Sequence, residues 1–438
     1  MWAPRRPTRM AHAGEPMALG LNEQVSFLLG KYLWFCGRNE HAYCVNDTYT
    51  DDVEFTRVRF DPGCGTAPPV HVSVGAFCWA VAFEDGSVLT QGLSVPPMWY
   101  RGPNMAPESM LHVPAAFEGN KIVHMACGEA HMLVVTSSGR VYARGANVAG
   151  QLGIGNKTNM REFAKVEFAD DSTADIKSVA CGSMHSLALA RTGELYAWGL
   201  AATNQLGVDL ERLKDMSTPI RVGEQELRDV AMVQVSAGNG HNAAVDTQGA
   251  LWVWGNNMDG QLGTGDRLSQ KTPYKLAKED VFAGEAIKAA ACGYKHTLAV
   301  SEQGGVWAWG NGMYGKLGTG TTQECYSPCK IDARFFEGEK VQVVAAGYEH
   351  SACITESRRV YTWGRGLARH LNADGTVGDV PTGLGHDDDE YVQRPRWVPV
   401  FGEKELAFAM CMHPRLGEAS LWKDLCPETV AMILGSVW

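Results

Sequence analysis

No stretch of this sequence reaches the roughly 18 apolar residues of a membrane-crossing helix, and its N-terminus has no apolar core of the secretory-signal kind. A soluble, intracellular protein, cytoplasmic or nuclear, is expected. Positive charge is scarce too: 39 Lys and Arg stand against 49 Asp and Glu, a formal net charge of −10. A surface of that sign does not track a phosphate backbone, so nucleic acid is not an expected partner. The 12 cysteines lie at wide, irregular intervals and build no short disulfide framework. Cys325-x-x-x-Cys329 and His41-x-x-Cys44 each lack the second pair that a zinc site needs.

Catalytic signatures are missing as well: no G-x-S-x-G, P-loop or H-E-x-x-H occurs. Gly310 to Gly315 fits G-x-G-x-x-G, but Lys316-Leu317-Gly318-Thr319-Gly320 cannot open the helix whose N-terminus would hold a pyrophosphate. No catalytic residue, cofactor or metal is assigned.

What the chain does have is a period. ACGYKHTLAVSEQGGVWAWGNGMYGKLG, from Ala291 to Gly318, overlays ACGEAHMLVVTSSGRVYARGANVAGQLG, from Ala126 to Gly153, residue for residue. Marker glycines fall at Gly75, Gly128, Gly182, Gly238, Gly293 and Gly347, with Gly20 a fainter seventh; their positions subtract to steps of 55, 53, 54, 56, 55 and 54. A fixed step of this length means a repeat architecture.

Each period spells out its own elements. A short apolar run such as Val343-Val344-Ala345-Ala346 precedes the glycine, and an alternating run such as His185-Ser186-Leu187-Ala188-Leu189 follows it; both read as strands. After a turn such as Thr247-Gln248-Gly249 comes Leu251-Trp252-Val253-Trp254-Gly255, whose aromatics suit a third pleated strand. The Gly-Gln-Leu-Gly loop leads to a fourth, edge-like strand, with Pro219 and Pro273 at its start. Four short antiparallel strands per period make one propeller blade, and the fold class is all-β.

The elements A-C-G-x-x-H-(S/T)-x-x-(V/L), G-x-(V/L)-Y-x-W-G and G-Q-L-G-x-G resemble the repeat of the regulator of chromosome condensation family, a seven-bladed β-propeller. The resemblance covers roughly residues 20 to 413. The first copy departs from it with Cys36 in the tryptophan slot, and the second with Cys78 and Gln91 in the histidine and tryptophan slots. Domain limits follow: a disordered leader over 1–19, carrying Arg5, Arg6 and Arg9, the propeller over 20–413, and a C-terminal extension over 414–438. The Pro- and Arg-rich start offers no first strand to Val25–Leu29. Glu405 to Cys411 matches the run before the other marker glycines and is expected to pair there, closing the ring with strands from both termini. Leu421 to Leu434 reads as a short helix with Pro427 near its first turn, and Cys426 through Leu434 is loosely similar to the opening of an F-box. The seventh copy carries an insertion over 365–382, expected as a surface loop and a candidate for partner contact.

His131, His185, His241, His296 and His350 recur at one position, which points to a local hydrogen bond fixing the strand turn rather than a ring of metal ligands. Trp198, Trp254, Trp309 and Trp363 read as packing between blades, and Cys127, Cys181 and Cys292 as small residues near the axis. The two residues after each marker glycine vary while their flanks do not, so this turn is expected to face outward. In the family it lies on one face around the central channel. Phe77, Met184, Tyr294, Lys295, Tyr348 and Glu349 would then form a partly aromatic patch for a protein partner. The family's plant ultraviolet-B photoreceptors carry Trp-Arg in this turn, and none of the pairs here match. The function expected is a non-enzymatic protein-interaction scaffold. Alternatives are nucleotide exchange on a Ran-like small GTPase, the activity of the family's name-giving member, and a ubiquitin-ligase adaptor.

Overall fold

The computed structural model describes most of residues 69–398, excluding 76–77, 93–107, 113, 170–174, 210–213, 358, 366, 372–376 and 382–390. It also describes four strands between 17 and 57 by their backbone. Six four-stranded antiparallel blades follow one another from Pro69 to Val398, each with its strands hydrogen-bonded in chain order. A further four-stranded sheet precedes them: Met17–Leu21, Gln24–Leu29, Tyr32–Gly37 and Asp52–Arg57. Helix among the described residues is confined to Lys278–Val281 and a few 3-10 turns.

First strands stand side by side: Pro69–Val74 beside Ile122–Cys127, then Ile176–Cys181, Met232–Ala237, Ile287–Cys292 and Val341–Ala346. Met17–Leu21 lies next to both Pro69–Val74 and Val341–Ala346. Five of these strands line a cavity of about 260 Å³, with His71, Val74, Met125, Ser236, Cys292 and Ala346 among its residues.

Two expectations about the ends are corrected. Met17–Leu21 pairs with Gln24–Leu29 in register from Met17 opposite Leu29 to Leu21 opposite Val25, so the place foreseen for Glu405–Cys411 is taken by the residues just ahead of it. The stretch foreseen as a leader thus contributes a strand from Met17. Gly20 sits inside that strand opposite Ser26 and marks no turn. The C-terminal strand and helix foreseen at 405–411 and 421–434 lie outside the described residues.

Burial explains why the pattern within one blade reads as it does. Second strands such as His185–Ala190 and His296–Ser301 are buried at all six positions, because blades stack face to face and each inner strand has a neighbour on both sides. The apolar/polar alternation in the sequence is therefore not a solvent face; its polar members lie in the seams between blades. Each hydrophobic cluster spans such a seam. One joins Leu187, Leu189, Leu195 and Ala197 to Val235, Ala244, Trp252 and Trp254 of the next copy. Phe117, Phe282 and Phe336, from connections between blades, meet Tyr142, Trp307 and Tyr361 edge to face at centroid distances of 5.5, 5.6 and 5.5 Å.

Fourth strands lie at the exposed rim. Pro219, Pro273 and Pro328 stand in their middle rather than at their start, each within a register break opposite the recurring tryptophan. Tolerance of the missing N–H comes from the bulge, as proline in sheets requires. The insertion of the seventh copy contains a hairpin, Leu367–Leu371 paired with Val377–Pro381.

Candidate functional site

The seam between blades fixes what the surface can present. Trp198 Nε1–H donates to the Gln151 carbonyl of the preceding copy at 2.8 Å, and Ser186 Oγ donates to the same oxygen at 2.8 Å. His131 Nε2 lies 3.0 Å from Ser186 Oγ. Since that hydroxyl has spent its proton on the carbonyl, the histidine must be the donor, which makes it the neutral Nε2–H tautomer. The relay repeats as His185, Asn242, Trp254 and the Gln205 carbonyl, and as His241, Thr297, Trp309 and the Gln261 carbonyl. A fourth set joins His296, Ser351, Trp363 and the Lys316 carbonyl.

The bond foreseen within a turn thus runs between blades. Burial holds the histidines neutral, with pKa values lowered to about 3 for His131, about 4 for His185 and about 3 for His241, and well below the usual range for His296. The seam from the second to the third copy is built differently: Cys78 stands in the histidine slot and Arg144 in the tryptophan slot, its guanidinium donating to Thr90 Oγ1.

Two glycines are dictated by these seams. A side chain on Gly293 would meet the His296 ring at 2.5 Å and the Gly347 carbonyl at 2.6 Å. Gly263, at φ +74, turns the loop backbone against the indole of Trp309, whose Nε1 would lie 2.8 Å from a Cβ there.

At one end of the blades the post-glycine turns and the Gly-Gln-Leu-Gly loops are tied together: Asn256 N donates to the Gly240 carbonyl at 2.8 Å, Asn311 N to that of Lys295 at 2.9 Å, and Arg365 N to that of Glu349 at 2.9 Å. Four of the six residues foreseen for a patch meet here. Tyr294 and Tyr348 stack with ring centroids 3.9 Å apart and planes 25° apart, Tyr348 being 38% exposed. Lys295 Nζ lies 5.9 Å from the Tyr294 ring and 3.5 Å from Asp259 Oδ2, while Glu349 pairs with Lys316. Met184 is half-buried two copies away, and Phe77 lies outside the described residues.

Lys316 was not foreseen. It occupies the slot where Gln151, Gln205 and Gln261 use their side-chain oxygen to accept the N–H of Ala149, Thr203 and Asp259. Its ammonium is buried; desolvation lowers its pKa while Glu349 opposes the change. Removing one partner of such a pair strands the other. Glu349→Ala is expected to cost about 3 kcal/mol in denaturant unfolding. Lys316→Gln restores the side chain of the other loops and leaves behind a Glu349 carboxylate that keeps 17% of its surface in solvent, where the lysine has 1%, so it is expected to stay within about 1 kcal/mol. Equal losses in the two variants would refute this account of the pair.

Sequence reasoning also missed the loop apolars. Val148, Met258 and Met313 occupy one slot, two residues before the loop's Gly-(Gln/Lys), and are 50%, 66% and 53% exposed. The signal available was an apolar residue recurring where the loop frame is otherwise polar. Tyr314 in the same loop lies under the Arg365 guanidinium, 4.7 Å from its centroid.

A family model described as the RCC1-like domain matches residues 32–412. The human E3 ubiquitin-protein ligase HERC2 is 34% identical over 290 residues, 66% of this chain and 6% of that protein. The Arabidopsis thaliana ultraviolet-B receptor UVR8 is 34% identical over 262 residues, 60% of this chain and 57% of the receptor. The chain thus spans a small part of the ligase and little more than half of the receptor. Among solved structures, Prp20p of Saccharomyces cerevisiae aligns with a TM-score of 0.67 at 21% identity, over 90% of this chain and 88% of that one. Human WBSCR16 aligns at 0.66 and 24% identity, over 81% and 86%. At these identities the structural likeness is one of fold.

Proposed function

Because the chain belongs to the family of RCC1-like domains, we propose that it works as a non-enzymatic protein-interaction scaffold, a closed ring of seven blades in which the N-terminal sheet supplies the seventh. The observation that carries the reading is the stacked Tyr294–Tyr348 pair, set at the same end of the blades as the exposed Met258 and Met313. Rigid aromatics beside adaptable thioethers, framed by the Lys295–Asp259 and Lys316–Glu349 pairs, have the composition of a protein-docking centre. The partner is accordingly a protein.

Tyr348→Ala and Tyr294→Ala are the test. Partners captured by proximity labelling in cells and measured with purified protein are expected to lose affinity at least 30-fold, about 2 kcal/mol, with an unchanged melting temperature. Unaltered affinity for every partner would refute this site. A Ran-like GTPase is one protein of the class, and a nucleotide-release assay decides whether binding brings exchange.

A further inference from the structure

Cys325 and Cys329 stand in the rim strand Cys325–Lys330, four residues apart, a spacing that in a regular strand would separate them by about 13 Å. The register shows otherwise. Cys329 lies opposite Ala308 and Cys325 opposite Gly310, with the break between them. Ala308 and Gly310 are two residues apart on one strand, about 6.6 Å, and point to one face. Their partners inherit that spacing and that face, inside the limit of about 7 Å between Cα atoms that a disulfide can bridge. The three intervening residues, Tyr326, Ser327 and Pro328, are looped out by the bulge.

The two thiols differ in setting. Cys325 packs against the hydrophobic clusters on both sides of its blade, whereas the Cys329 thiol reaches the Ser327 carbonyl at 3.5 Å on the exposed side. A hydrogen bond from Cys325 lowers the Cys329 pKa to about 7 and raises that of Cys325, so the rim thiol is the one of the two that ionises more readily.

The geometry points to a thiol–disulfide exchange site here, in which Cys329 attacks a small disulfide of the glutathione type and Cys325 resolves the product. The Cys329 thiolate displaces one glutathione thiolate and forms a mixed disulfide. Cys325 then gives up its proton and attacks the Cys329 sulfur, releasing the second glutathione. Two protein thiols and one glutathione disulfide become one protein disulfide and two glutathiones.

The bulge so closed also props the neighbouring blade. The Tyr326 carbonyl accepts from Gly265 N at 2.8 Å, and the Tyr326 ring lies under Arg267 at 5.6 Å. Both contacts hold the 256–268 loop, which carries Met258. Oxidation therefore acts at the edge of the docking face without touching it.

The test uses the full chain equilibrated in glutathione buffers of stepped ratio, followed by alkylation and peptide mass spectrometry. Cys325 and Cys329 are expected to become protected together at one ratio, in a peptide lighter by two hydrogens, with slower amide exchange over 256–268. In Cys325→Ser, a glutathione adduct is expected to accumulate on Cys329. Alkylation of both thiols at every ratio, or an adduct on Cys329 in the unaltered protein with Cys325 still free, would overturn the proposal.

Discussion

The melting temperature is expected to fall steeply as pH drops from 7.5 to 5.0, to the point where the ring is barely folded. Each relay histidine is neutral in the fold: burial lowers the pKa to about 3 for His131 and His241 and about 4 for His185, and holds His296 well below the usual range, against an unfolded value of about 6.5. A group whose folded value is the lower one takes up a proton on unfolding, so acid favours the unfolded chain. The stabilisation is complete above about pH 6.5 and is lost progressively down to the folded values. At pH 5 each histidine withdraws about 2 kcal/mol, and the four together on the order of 8, against the 5–15 kcal/mol that keeps a domain folded. Circular-dichroism melts across this range check it. His241→Gln retains an N–H for Thr297 and does not titrate, so it should shrink the acid slope by roughly a quarter. A melting temperature flat to pH 5 would contradict the neutral relay.

Trp254→Ala is expected to cost about 3–5 kcal/mol. The indole is fully buried, fills the cluster between the fourth and fifth copies, and donates to the Gln205 carbonyl. Trp254→Phe keeps most of the volume and loses the N–H, while Asn242 Nδ2 still satisfies that carbonyl at 2.8 Å. Its cost should be near 1 kcal/mol. Denaturant unfolding of the pair therefore separates packing from hydrogen bonding. Equal losses would mean that the hydrogen bond, not the volume, holds the seam.

The blade pattern could be read from the sequence because its period is set by close contacts that few residues satisfy. Gly293 has to clear the His296 ring and Trp309 has to fill a seam, so these types recur at fixed steps. Where the seam is built from other chemistry, as with Cys78 and Arg144, the pattern faded. What the sequence hid was direction: an alternating strand looks the same whether its polar members face water or, like Ser186, a neighbouring blade. The N-terminal strand was missed because Met17–Leu21 has neither the marker glycine in register nor a histidine after it. Variation after the glycine singled out Tyr294, Lys295, Tyr348 and Glu349, which the fold brings together, but pairing across copies, such as Lys316 with Glu349, depends on loops more than thirty residues apart and leaves no local trace.

In each of the four relay seams the oxygen that receives both the indole and the hydroxyl or amide belongs to the main chain, at Gln151, Gln205, Gln261 and Lys316 alike. A residue that adheres through its peptide group leaves its side chain free to drift, and a lysine in one of the four slots shows the exchange already made. Selection can therefore rewrite the loops one at a time while the masonry beneath stays put, which lets a single chassis acquire new clients.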